Sequence, residues 1–219
     1  MDLNEIEVRK VADLAVSVGV SDDPFVGYNK GYSASVINSL KDNDKFSLYL
    51  EILVFRIFVV TYNCQVCNIT DSSLKKVHEH IYQILISNEV FKNALKYYFW
   101  GTVADFNDDE VLTNFERRLI IPRFKQYYEA TGGVRFPIEK HRLENLAYLS
   151  AKNMFRQDTR SQIEAQLVNS EHMVFYANQL EWIFANKAPL TKGTSGCLVS
   201  IICILIFTFI IYTFTYLRL

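Results

Sequence analysis

The sequence predicts an all-α, multi-helix globular domain around a buried central helix, followed by one C-terminal transmembrane helix. Three observations predict it. Apolar residues recur at helical period through most of residues 1–186. Pro and Gly are scarce, 4 and 8 among 219 residues, so few positions interrupt regular structure. Near the end stands an uncharged run of 25 residues, Gly193–Leu217, where ~20 apolar residues suffice to cross a hydrocarbon core. Half of the chain is hydrophobic and 14% aromatic, which excludes a mostly disordered protein and supports a core of its own.

The elements follow in order. A first helix covers Leu3–Val18, and Gly19 stops it; Asp22-Asp23-Pro24 and Gly27–Gly31 read as a loop. A short second helix occupies Ser33–Leu40. The central helix begins near Asp44, with Phe46, Leu50, Leu53, Ile57 and Val60 as its inward stripe. Phe46–Tyr62 holds eleven Leu, Ile, Val or Phe, but also Glu51 and Arg56. Each charge costs ~2.5–3.5 kcal/mol near a bilayer centre, which cancels the apolar gain and makes this a core helix instead of a membrane span. Leu74, Val77, Ile81, Ile84, Asn88, Phe91, Leu95 and Tyr98 form a further stripe, as one helix or as two with a break near Ser87-Asn88. Trp100-Gly101 ends it. Asn107 with Glu110 reads as a capping box, and Asp108, Asp109 and Glu110 suit the positive end of a helix dipole. Pro122 should bend or split that helix, and Thr131-Gly132-Gly133 stops it. Pro137 fits the first turn of a helix over Ile138–Phe155. Ser161 and Glu164 read as a second capping box, opening a last amphipathic helix toward Asn186.

The domain therefore spans 1–186, a short linker 187–196, and the transmembrane helix 197–217. Thirteen Leu, Ile, Val or Phe lie in Cys197–Leu217, and they contribute roughly −4 to −8 kcal/mol on an insertion scale. Cys197, Leu198, Ile201, Ile202, Leu205, Ile206, Phe209, Ile210 and Phe214 are the anchor residues. A buried strand of this length would be unusual in a globular domain. So late a span inserts only after the chain leaves the ribosome, which places the N-terminal domain in the cytosol. Lys187 and Lys192 on the cytosolic side, against Arg218 beyond, agree weakly. Thr208, Tyr212 and Thr215 share one face, and Gly196 with Ser200 forms a small-xxx-small pair, a surface for weak homodimerisation through the anchor, against the favoured alternative that the Thr hydroxyls bond back to their own helix carbonyls and Tyr212 sits toward the interface.

Charge and motifs exclude more than they assign. Met1–Lys192 carries 22 Lys+Arg and 24 Asp+Glu, so no nucleic acid partner is expected. Asp2, Glu5, Glu7, Arg9, Lys10 and Asp13 break any apolar leader at the start. Cys64 and Cys67 form a lone CxxC; they continue the apolar stripe at +18 and +21 from Phe46, a packing position, near a helix C-terminus whose dipole disfavours a thiolate. His78 and His80 are two apart on a helix and point ~200° apart, His78 flanking the Leu74–Val77–Ile81 face and His80 toward solvent, so they cannot converge on one ion. No metal and no cofactor are expected. No Gly-x-Ser-x-Gly and no phosphate-cradling glycine loop is present, so catalysis is unassigned. Glu51, Arg56, Glu116 and Arg117 are candidates for a buried polar site. Seven basic against three acidic residues in Glu116–Arg142 make Arg117, Arg118, Arg123 and Lys125 a candidate basic patch toward anionic lipid, against the alternative of an ordinary solvated face.

Trp100-Gly101 and Phe106 resemble the Asn-Trp-Gly-Arg motif and following aromatics of the Bcl-2 family of apoptosis regulators, and Thr131-Gly132-Gly133 is similar to its later Gly-Gly motif. Phe99 and Thr102 replace the motif's Asn and Arg, and that Arg is the expected partner contact. Asp105, Asp108, Asp109 and Glu110 stand where the family has its most apolar helix, so no functional residue is carried over. Nor does the last helix continue heptads into the membrane as fusion proteins require: Ser170, Gln166 and Lys187 fall in the seam. The expectation is a tail-anchored, single-pass protein whose partners are the lipid bilayer and a protein, acting as a non-enzymatic interaction or adaptor module. The alternative is a membrane-associated enzyme acting on a lipid or other apolar substrate.

Overall fold

The computed structural model describes residues 1–16, 25, 27–100, 107–133, 140–156 and 158–185. Among these residues the protein is all-α, with no strand. The expected linker and transmembrane helix, with every anchor residue, lie outside the described residues. The helices are α1 (Glu5–Val16), α2 (Gly31–Ser39), α3 (Asp42–Val66), α4 (Asp71–Ile86), α5 (Glu89–Trp100), α6 (Asp108–Phe115), α7 (Ile121–Thr131), α8 (Lys140–Phe155) and α9 (Thr159–Phe184); a π-helical turn, Glu116–Ile120, joins α6 to α7.

Helix α3 is the axis. Every residue from Leu48 to Tyr62 is buried, so the expected stripe is in fact a helix covered all round, the pattern of a core helix. It is long and apolar enough to cross a membrane, yet 83% of its most apolar window is buried in protein. Helices α1, α5, α7, α8 and α9 pack around it. Burying each Leu, Ile, Val or Phe gains about 1.5–3 kcal/mol, and ten such residues of α3 are buried.

Local chemistry sets the surrounding boundaries. Asn4 and Glu7 form a reciprocal capping box on α1: the Glu7 amide donates to Asn4 Oδ1 (3.0 Å) and the Asn4 amide to Glu7 Oε2 (2.8 Å). Val8, Val11, Ala12 and Ala15 then face the core, the two alanines letting α1 approach closely. The long stripe through residues 74–98 is two helices, because the Asn88 side chain accepts from the Phe91 amide (3.0 Å) and starts α5. Asn107 caps α6 as expected, accepting from the Glu110 amide at 2.8 Å.

Beside Pro122 the expected helix is divided into α6 and α7. The turn before it widens to π geometry, in which the Ile121 amide reaches the carbonyl of Glu116 five residues back, and Pro122 falls in the first turn of α7, where a missing N–H costs nothing. Gly132, at φ 71°, ends α7. Its amide donates to Glu129 and that of Gly133 to Tyr128 (2.8 Å), a Schellman closure.

The second expected capping box is corrected. Asp158, not Ser161, caps α9, accepting from the Ser161 amide (2.8 Å). Glu164 reaches across to α2 instead. Its carboxylate accepts from the Tyr32 amide (3.2 Å), the Ser33 amide (2.7 Å) and the Ser33 hydroxyl (2.7 Å). Helix α2 has no side-chain cap from its own N-cap residue, Lys30, so a residue 131 positions away supplies it. Glu164→Ala should therefore cost about 1–2 kcal/mol, read as an earlier chemical-unfolding midpoint by circular dichroism; an unchanged midpoint would show that the inter-helix cap carries no stability.

Candidate functional site

Two charges lie inside α3, and the structure separates them. Glu51 is 1% exposed; Arg123 of α7 donates Nε and Nη2 to its two carboxylate oxygens at 2.7 and 2.5 Å. This bidentate pair fits guanidinium to carboxylate geometry, and the carboxylate holds the Arg123 pKa above its usual range. Arg123 is thus an interior clamp between α3 and α7 more than a surface cation. Arg117, Arg118 and Lys125 remain exposed around exposed Ile121, and the Arg118 guanidinium lies 4.5 Å above the Phe99 ring. Glu116 and Arg117 are exposed, so the four residues considered together as a buried polar site do not converge.

Arg56, also 1% exposed, faces the other way, toward a polar cluster that the sequence reading missed. Tyr28 donates its hydroxyl to Asn169 Oδ1 (2.5 Å); Asn169 Nδ2 donates to Ser150 Oγ (2.7 Å) and the Ala147 carbonyl (3.3 Å). His172 Nδ1 lies 3.4 Å from the Tyr28 hydroxyl, and Tyr176 packs against the same imidazole. Burial, aided by the Arg56 charge, pushes the His172 pKa down to about 3. Burial raises Tyr28 and Tyr176, against the opposing pull of Arg56. The cluster binds the 27–30 turn, α3, α8 and α9 together. Gly27, at φ 92°, packs so closely that a Cβ there would meet His172 Nε2 at 3.2 Å. At neutral pH His172, Tyr28 and Tyr176 are therefore uncharged.

The remaining candidates resolve likewise. Cys64 is buried and Cys67 partly so; burial pushes the Cys67 thiol up to about 11 and Cys64 further, the opposite of an activated thiolate. His78 accepts or donates at Thr61 Oγ1 (2.9 Å), and its pKa is lowered by burial. His80, expected to point to solvent, meets Glu5 of α1 at 3.1 Å. No cluster of metal-ligating side chains occurs among the described residues. A half-open cavity of about 230 Å³ lies between α2, the start of α3 and the end of α8, with Asp44, Glu51, Asn153 and Asp158 on a partly apolar wall.

Comparison with known proteins gives no relative: no protein family, no curated protein and no solved structure matches the chain.

Removing Arg123 alone strands a buried carboxylate, so Arg123→Met should cost about 3–5 kcal/mol, whereas the double variant Glu51→Leu/Arg123→Met should recover most of that loss; equal loss in both would mean the pair does more than answer its own charge. A second measurement uses pH. The His172 pKa is lower folded than unfolded, so below about pH 6.5 the unfolded chain binds a proton that the folded one does not. Stability is full above that pH and falls as pH drops, by roughly 2 kcal/mol from pH 7 to 5. Unfolding titrations at the two pH values should show this drop, and His172→Gln should flatten it.

Proposed function

We propose that the chain is a tail-anchored, single-pass membrane protein whose helical domain stands on the cytosolic face and acts as a non-enzymatic interaction or adaptor module. The observation that carries this reading is the uncharged 25-residue run Gly193–Leu217; its length and apolar content match a single membrane crossing. The chemistry-bearing side chains of the domain support the non-enzymatic part. Glu51 and Arg123 are spent on each other, Tyr28 and Asn169 on an internal network, and the two thiols are held protonated.

The cavity weighs on the alternative, an enzyme acting on membrane lipid. Asp158, at its wall, stands at the N-terminal end of α9, while the linker leaves from the C-terminal end. Twenty-six helical residues separate these ends by about 39 Å. On this reading the cavity sits far from the bilayer, an awkward place to take a substrate from lipid.

Membrane fractionation after alkaline wash tests the anchor. The full chain should stay with membranes, and a chain lacking Thr194–Leu219 should be released as a folded domain. Ile206→Arg should shift the full chain toward release, since a charge at mid-span costs ~2.5–3.5 kcal/mol. Equal partitioning of full-length and truncated chains would overturn the reading.

A further inference from the structure

We infer that one pole of the domain, carrying Trp182, Ile6 and Lys10, rests in the headgroup layer of the bilayer that holds the chain; the inference builds on the tail-anchor reading. Several chain segments meet at this pole. The C-terminal end of α3 lies near the last turn of α9, close enough for the Glu181 charge to raise the Cys67 pKa. The start of the chain joins them: the Met1 amino group donates to the Asn68 carbonyl and the Thr70 amide to the Met1 carbonyl at 3.0 Å. From here the chain continues toward its apolar tail.

The tether fixes what this pole can reach. Residues 186–196 are eleven residues, at most about 40 Å when fully extended. Helix α9 is itself about 39 Å long, so only a fully extended tether would let its far end reach the bilayer, and at any shorter extension the end that carries Trp182 is the nearer one. That end presents the two most exposed large hydrophobic side chains of the described residues, Trp182 at 68% and Ile6 at 66%. Phe175, exposed and two turns back on the same face of α9, extends the surface.

The residue types fit a lipid headgroup layer. An indole is apolar in its ring and donates through its N–H, which places Trp at the level between acyl chains and phosphates. The Lys10 ammonium lies 5.5 Å from the centre of the Trp182 ring, so its aliphatic stem runs beside the indole and its charge can meet a phosphate. Glu5 of the same helix is held by Arg9 (3.2 Å) and His80 (3.1 Å). Asp2 and Asp71 are exposed at this pole, so burial of Trp182 and Ile6 drives the contact, and acidic lipid is not required.

The full chain with Trp100→Phe has Trp182 as its sole tryptophan and can be reconstituted into phosphatidylcholine vesicles. Flotation reads insertion. Fluorescence of the floated fraction, with lipids brominated near the glycerol or at the chain ends, reads where Trp182 sits. The expected result is flotation with blue-shifted emission, quenched more strongly by bromine near the glycerol. Ile6→Ser/Lys10→Glu should float equally but lose the blue shift and most of the quenching. If Trp100→Phe fails to fold, hydroxyl-radical footprinting of the unaltered chain reads the same surface, as protection of Trp182 and Ile6 in vesicles relative to detergent. A chain that floats with Trp182 unquenched and unprotected overturns the inference and leaves the anchor standing. Protection that appears instead over Ile121 and Phe99, and only when acidic lipid is added, also overturns it, in favour of the exposed Arg117, Arg118 and Lys125 face. A chain that does not float overturns both.

Discussion

Glu51 and Arg56 sit in the middle of the most fully buried helix among the described residues, and the surrounding architecture answers to that constraint. Five residues apart, they point about 140° away from each other around the axis of α3. One partner cannot serve both. A helix buried on every side therefore needs a charged partner on one flank and a polar environment on another, as well as apolar cover elsewhere. Helix α7 supplies the first through Arg123, and the first turn of α7 is shaped by Pro122 and the π turn before it. Tyr28, His172 and Tyr176 lie on the second.

The same polar groups decide which helices are fixed to which. Asn169 ties α9 to α8, and Tyr28 brings the 27–30 turn onto both. Glu164, on the same helix as Asn169, holds the first turn of α2. Helix α9 thus organises everything on its side of α3 through directional bonds, in addition to the nonspecific apolar packing that any helix pair could make. An apolar core alone tolerates sliding and rotation of helices; buried hydrogen bonds with one geometry do not.

What could be read from the sequence divides along this line. Signals confined to one segment were legible: the Asn107 cap, the Gly132 stop, the buried identity of α3, and the break near Asn88 as one of two readings. Each is written in residues three to five apart, where helix geometry alone fixes the neighbours. Partners contributed by another segment were not legible. Glu164 looks like an ordinary capping-box acid beside Ser161, and only the position of α2 redirects it. Arg123 looks like one cation of a basic stretch until Glu51 is found behind it. Tyr28 sits in a glycine-rich turn with no periodicity to mark it as core, yet it is nearly fully buried. His80 has helical phase for solvent, and α1 happens to occupy that solvent.

The direction of α9 links the fold to the functional proposal. Its first turn borders the cavity with Asp158, and its last turn carries Trp182 toward the linker. A rigid helix fixed along its length by Asn169 and Glu164 cannot swing one end independently of the other. If the C-terminal end is held at a membrane, the rest of the domain is oriented by it, and the α2–α8 end projects away from the bilayer. The orientation then comes from the exposed apolar side chains of that pole and their short tether instead of from net charge, which at −1 for the whole chain gives a membrane little to attract. Surfaces that a protein partner could reach are correspondingly those on the flanks and far end of the bundle, where Ile121 and Ile163 are exposed.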